Sequence, residues 1–143
     1  MAQTYDYTIY LRWSDADRNG HINNGKFATF AEDARIEWFS NLPGRADGDM
    51  GSSLILARQE IDYHRQVLTE EESDKQMVMR CSALSIGRTS VRIREELWGS
   101  GDSSPACTVH CVLVHFDYQA GKSLAWDETQ RSWIESYAAA EDT

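Results

Sequence analysis

A chain of 143 residues with 41% hydrophobic and 10% aromatic content is the size of one domain and carries enough apolar side chains for a real core. Its formal net charge of -9 and pI near 4.8 exclude a general nucleic-acid binder, because such a surface repels phosphates instead of displacing their counterions. No apolar run reaches the length of a membrane span, and the first ten residues have neither a basic n-region nor an apolar h-region, so a soluble, cytoplasmic protein is expected.

Tyr5, Tyr7, Ile9, Leu11 and Trp13 alternate with Asp6, Thr8, Tyr10 and Arg12, the period-2 pattern of a half-buried strand over about residues 4–13. A polar loop follows, and then a helix over about 24–41. Its apolar residues Phe27, Phe30, Ala31, Ala34 and Trp38 fall at helical spacing, and either Asn23 or Asn24 can cap it. Residues 43–53, with one proline and three glycines, read as a loop.

From residue 54 the pattern is extended: strands over about 54–66, 77–86, 89–98 and 107–118, separated by an acidic turn at 69–74, a tight connection at Gly87-Arg88 and a turn at 99–105. The nearly continuous apolarity of 107–118 fits a strand covered on both faces. Residues 127–139 can form a short C-terminal helix, after which the alanine-rich end is expected to fray. One strand, one long helix and about four antiparallel strands in series predict an α+β domain, the helix laid across a curved sheet. The open sheet edges of such a single layer predict C2 self-association. Cys81, Cys107 and Cys111 lie in apolar strand segments and form no C-x-x-C pair, so they read as buried small hydrophobes, not as a disulfide framework or a zinc site.

The chemistry is concentrated between Arg12 and Phe39. Asp15, Asp17, Asn19 and Gly20 match the opening of an EF-hand calcium loop, but the twelfth position, which must supply a bidentate carboxylate, is Lys26. The segment leading in also alternates like a strand where an EF-hand needs a helix. The other reading uses the loop–helix junction. Unpaired amides near Asn24 and Gly25 can stabilise an oxyanion, and Asp17 just upstream can attack a carbonyl carbon or activate water. Acyl transfer needs those two functions together.

The run Asp15-x-Asp17-x-x-Gly20-His21-Ile22-Asn23-Asn24, followed by Phe27-x-x-Phe30-x-Glu32-x-Ala34-Arg35, resembles the signature of the hotdog-fold acyl-CoA thioesterases, in particular their 4-hydroxybenzoyl-CoA thioesterase-like branch. The resemblance implies a hotdog fold, one long central helix wrapped by about five curved antiparallel strands, that dimerises into a larger sheet. It implies Asp17 as catalytic nucleophile or general base, the backbone N–H of Asn24 as the group polarising the thioester carbonyl, and His21 and Asn23 at the mouth of the site. Gly87-Arg88-Thr89-Ser90 resembles the segment that contacts the CoA phosphates, with Arg65 and Arg88 as phosphate partners; guanidinium forks suit phosphate. It further implies acyl-CoA as substrate, no metal or cofactor, and a homodimer or homotetramer with each site between two subunits.

Competing readings stand beside these. Asp15 reads best as a turn cap. Glu32 is a second choice of base, on the helix, or else pairs with Arg35 at i+3. At the level of function, a hotdog protein that binds acyl-CoA without turnover, or a thioesterase acting on acyl carrier protein, remains open from the sequence.

Overall fold

The computed structural model describes residues 3–44, 54–72 and 75–139. Six strands, β1 (Tyr5–Tyr10), β2 (Leu54–Tyr63), β3 (Gln76–Ile86), β4 (Ser90–Trp98), β5 (Cys107–Asp117) and the two-residue β6 (Lys122–Ser123), accompany two helices, α1 (Asn24–Phe39) and α2 (Glu128–Glu135). The main sheet is antiparallel throughout, in the order β1-β3-β4-β5-β2, with β6 paired to β5. Register shifts between Leu56 and Arg58 and between Ala83 and Ser85 mark bulges, which bend a sheet and increase its twist.

One face of the sheet is a buried row. Met77, Met79, Cys81 and Ala83 of β3, Val91, Ile93, Glu95 and Leu97 of β4, and Cys107, Val109, Cys111 and Leu113 of β5 all point into the core. Onto that face α1 lays Phe27, Phe30, Ala31, Ala34, Trp38 and Phe39, the stripe its spacing predicts extended by one residue. Trp38 and Phe39 also pack with Trp133, and Trp38 with Tyr137, which docks the C-terminal segment at the far end of α1. The helix over 127–139 is realised as Glu128–Glu135, capped by Asp127 and Gln130 in a reciprocal capping box.

The sequence expectations differ from the structure at the element ends. Strand β1 stops at Tyr10 because Trp13–Asp15 turns as a short 3-10 segment; Trp13, placed in the inward row by alternation, is 88% exposed. The expected fraying does not begin at Ala138: it pairs with Ala83, and the Ala139 N–H donates to the Ala83 carbonyl at 2.8 Å. Residues 140–143, most of the 43–53 loop, and positions 73 and 74 of the acidic turn lie outside the described residues. No helix among the described residues is long and apolar enough to cross a membrane.

All three thiols are free and buried. Burial pushes Cys107 and Cys111 up to about 12 and Cys81 well above its ordinary value, with the Glu95 carboxylate adding to the rise. A thiol kept protonated and enclosed is a poor nucleophile. Ellman's reagent added to native protein at pH 8 should therefore yield no prompt thiolate signal, and three equivalents once urea is present; fast labelling of the native chain would contradict this packing.

Candidate active site

The loop between β1 and α1 is built from the inside by Asp15, which is fully buried. Its Oδ2 accepts the Arg12 N–H at 2.9 Å, and its Oδ1 lies 3.0 Å from Arg12 Nη2 and 3.7 Å from Lys26 Nζ. Burial alone would raise this carboxyl, but the Arg12 hydrogen bonds and the Arg12 and Lys26 charges hold it below its ordinary value. Asp15 is thus the turn cap, and Lys26, the residue that breaks the calcium pattern, places its cation beside the first carboxylate of that pattern. Among the described residues, no three histidine, cysteine or acidic side chains converge as a metal site.

Asp17 is the loop's accessible carboxylate, its side chain 39% exposed. Oδ1 accepts the backbone N–H groups of Asn19 at 2.8 Å and His21 at 3.1 Å, while Oδ2 lies 3.9 Å from His21 Nδ1, beyond hydrogen-bonding distance. One oxygen therefore holds the turn, and the other accepts no hydrogen bond among the described residues. The turn closes through Gly20, whose φ of 83° suits a glycine and whose N–H donates to the Asp17 carbonyl. The Ile22 N–H then donates to Val67 O at 2.8 Å, tying the loop to the segment after β2.

Asn23 is the N-cap of α1. Its Oδ1 accepts the Gly25 N–H at 2.9 Å, and its carbonyl accepts the Lys26 N–H at 2.9 Å. Asn24, the first helical residue, has no intrahelical acceptor for its own N–H, and none elsewhere among the described residues. A helix start with an uncommitted amide, carrying the positive end of the dipole, can donate a hydrogen bond to an acceptor that bears negative charge.

Asp17, His21, Asn23, Asn24 and Arg65 line one cleft of about 420 Å³, together with Ile22, Phe27, Tyr63, His64, Gln66 and Val67. Five of the residues singled out in the sequence thus come together. Arg88, Thr89 and Ser90 do not join them. The cleft lies where β1 ends and β3 begins, since the Leu11 N–H donates to Lys75 O and Tyr10 pairs with Gln76. The 87–90 turn lies past the other end of β3, roughly 30 Å along the strand. There two of its carbonyls hold the segment before α2, Arg88 O accepting from Trp126 N and Ser90 O from Trp126 Nε1, while Thr89 O accepts from His115 N of β5. Arg65, although in the cleft wall, is ion-paired to Asp102 at 2.7 Å and to Glu72 at 3.4 Å.

Glu32 lies about 12 Å along α1 from Asn24, exposed, beside a smaller cleft of about 140 Å³ formed with Arg35, Ile36, Leu54, Leu56 and Leu113. It does not share the Asp17 cleft, and Arg35 turns inward to the buried Glu95 at 3.1 Å instead of pairing with it. Tyr63, His64 and Gln66 are cleft residues that the sequence reading passed over. Tyr63 read as a strand residue, and the only signal was the nearness of all three to Arg65.

Comparison with known proteins agrees with this architecture. Residues 11–134 match the family model described as the thioesterase-like superfamily. The uncharacterized protein YsmA of Bacillus subtilis (strain 168) is 27% identical over 126 residues, 88% of this chain and 82% of that protein. A predicted thioesterase from Bacillus stearothermophilus superposes with a TM-score of 0.83 at 23% identity, over 98% of this chain and all of that one. A thioesterase from Thermus thermophilus, solved with coenzyme A and Zn, superposes at 0.77 with 26% identity over 92% of each chain. With the family match spanning the Asp17 loop, α1 and strands β2 to β6, this chain belongs to the thioesterase-like superfamily and has its hotdog fold.

Proposed function

We propose that this protein hydrolyses acyl-CoA thioesters to the free acid and CoA, with Asp17 as the carboxylate and the Asn24 N–H as the oxyanion donor. The observation that carries this reading is the juxtaposition, in one cleft, of a carboxylate with an unengaged oxygen and a helix start with an unengaged amide. Asp17 attacks the thioester carbon or takes a proton from the water that does. The negative charge then gathers on the former carbonyl oxygen, where the Asn24 amide and the dipole of α1 stabilise it, and collapse breaks the C–S bond and expels the CoA thiolate, which takes up a proton. Where Asp17 itself attacks, the acyl group is left on Asp17 as a mixed anhydride, and water hydrolyses it to the free acid and restores the carboxylate. His21 and Asn23 shape the mouth. Superposition on a thioesterase solved with coenzyme A supports CoA as the carrier.

The placement of the basic residues bears on quaternary structure. Arg65 must exchange a carboxylate for a phosphate to hold CoA, and Arg88, Thr89 and Ser90 are too far from their own protomer's cleft to serve it. We infer that they serve a cleft in a partner subunit, in a C2 dimer or a dimer of dimers. The outer edge of β2 has no partner strand among the described residues, and Ile36 and Leu56 are exposed nearby, as expected of a strand edge that pairs with its copy. Three free thiols fit a reducing, cytoplasmic compartment.

The test is thiol release, followed with Ellman's reagent, across aromatic, short-chain and long-chain acyl-CoAs and an acyl carrier protein thioester. Turnover of at least one acyl-CoA is expected. Tight binding of acyl-CoAs with no thiol release would favour a non-catalytic binding protein, and turnover confined to the carrier protein would change the carrier.

A further inference from the structure

Tyr63 ends β2, half exposed, with its ring edge-on to Phe27 at a centroid distance of 5.4 Å. Its hydroxyl crosses to the first turn of α1 and donates to the carbonyl oxygen of Asn24 at 3.3 Å. The other polar atom of the same peptide unit, the Gly25 N–H, is held by Asn23 Oδ1 at 2.9 Å. The peptide between Asn24 and Gly25 is therefore gripped at both poles by side chains from two different elements, one belonging to the helix cap and one to the sheet. That grip fixes the backbone rotation next to the Asn24 N–H, which has no acceptor among the described residues.

We propose that Tyr63 is a positioning residue for the oxyanion donor: its hydroxyl ties the start of α1 to the end of β2 and so fixes the direction of the Asn24 N–H. The inference rests on the thioesterase reading of the cleft. Its physical basis is that a donor stabilises a transition state only if it is already aimed where charge develops, so that no reorganisation is needed during the reaction. The hydroxyl touches neither the thioester nor Asp17 in this role. Its loss should lower the rate of chemistry and leave substrate binding nearly unchanged. Because the ring remains against Phe27 in Tyr63→Phe and the residue is half exposed, that variant keeps its fold.

The experiment is single-turnover hydrolysis of the best acyl-CoA by wild type, Tyr63→Phe and Asp17→Asn, with substrate affinity, pH profile and thermal midpoint measured for each. A positioning hydrogen bond is worth about fivefold in rate. The expected result for Tyr63→Phe is a fall of about that size, equal at every pH, with affinity within twofold and an unchanged thermal midpoint. An unchanged single-turnover rate, or an effect confined to affinity, overturns the role of Tyr63. If Asp17→Asn is inactive while Tyr63→Phe matches wild type, only this inference fails. If Asp17→Asn remains active, or wild type does not turn over, the reading of the cleft fails and the inference goes with it.

Discussion

Asp17→Asn should cut kcat for acyl-CoA hydrolysis by about 10³-fold or more, within or above the range seen for loss of a positioned base, while acyl-CoA affinity and thermal midpoint stay close to wild type. The substitution separates the two tasks of this side chain. An asparagine Oδ1 can still accept the Asn19 and His21 amides that Asp17 Oδ1 accepts now, so the turn survives. What disappears is the negative charge on the second oxygen, the one with no backbone partner, and with it the capacity to attack a carbonyl or hold the proton of water. Asp15→Asn makes the contrast. That carboxylate is wholly buried between Arg12 and Lys26, so its loss should appear as instability, not as a folded protein with a dead site. Stopped assays with and without the substitution, alongside melting curves, read both effects. Activity of Asp17→Asn within a few-fold of wild type would remove Asp17 from the chemistry.

Much of this arrangement is legible from residue order. The helical stripe of α1 falls on the buried face as predicted, because it is long enough for its spacing to fix which side is wet, and the strands expected over 77–86 and 89–98 are realised as β3 and β4. The Asp17–Asn24 junction is legible for a local reason: the turn, the cap and the helix start are consecutive, so their hydrogen bonds are short-range in sequence. What was not legible depends on long-range pairing. Tyr63 reaches Asn24 only because β2 is an edge strand that ends beside the start of α1. The 87–90 turn resembles a phosphate-binding segment, yet strand length carries it to the opposite end of the sheet, a distance that a motif does not encode. Glu95 sat in the same alternating row as Val91, Ile93 and Leu97, and Arg35 beside Ala34 of the helix stripe. Two opposite charges in two inward rows are the available sign of a buried pair, whereas the sequence reading pairs Arg35 with Glu32 and gives Glu95 no partner.

That pair makes the second large prediction. Glu95 is fully enclosed; it accepts from Arg35 Nη1 at 3.1 Å, with the Cys81 and Cys111 thiols at 3.7 and 3.9 Å. Burial pushes its carboxyl from an ordinary 4.5 up to about 7, against the pull of Arg35 and the thiol donors. Between those two values the folded chain holds a proton that the unfolded chain has released. Glu95 therefore contributes stability that is fully present below about 4.5 and is lost as pH rises through about 7. Removing the cation should steepen this loss. Arg35→Met leaves the Glu95 carboxyl without a counter-charge in the core, so at pH 8 it must either stay ionised and unpaired or take up a proton against the solvent pH, expected to cost about 3–5 kcal/mol, and much less at pH 5, where a protonated Glu95 needs no cation. Adding Glu95→Gln to Arg35→Met should restore most of the stability at pH 8, since the double variant buries no charge at this position. Urea unfolding of the two variants and wild type at pH 5 and pH 8 measures each quantity. Equal destabilisation of Arg35→Met at both pH values would mean that the guanidinium matters here for its packing, not for the charge it places beside Glu95.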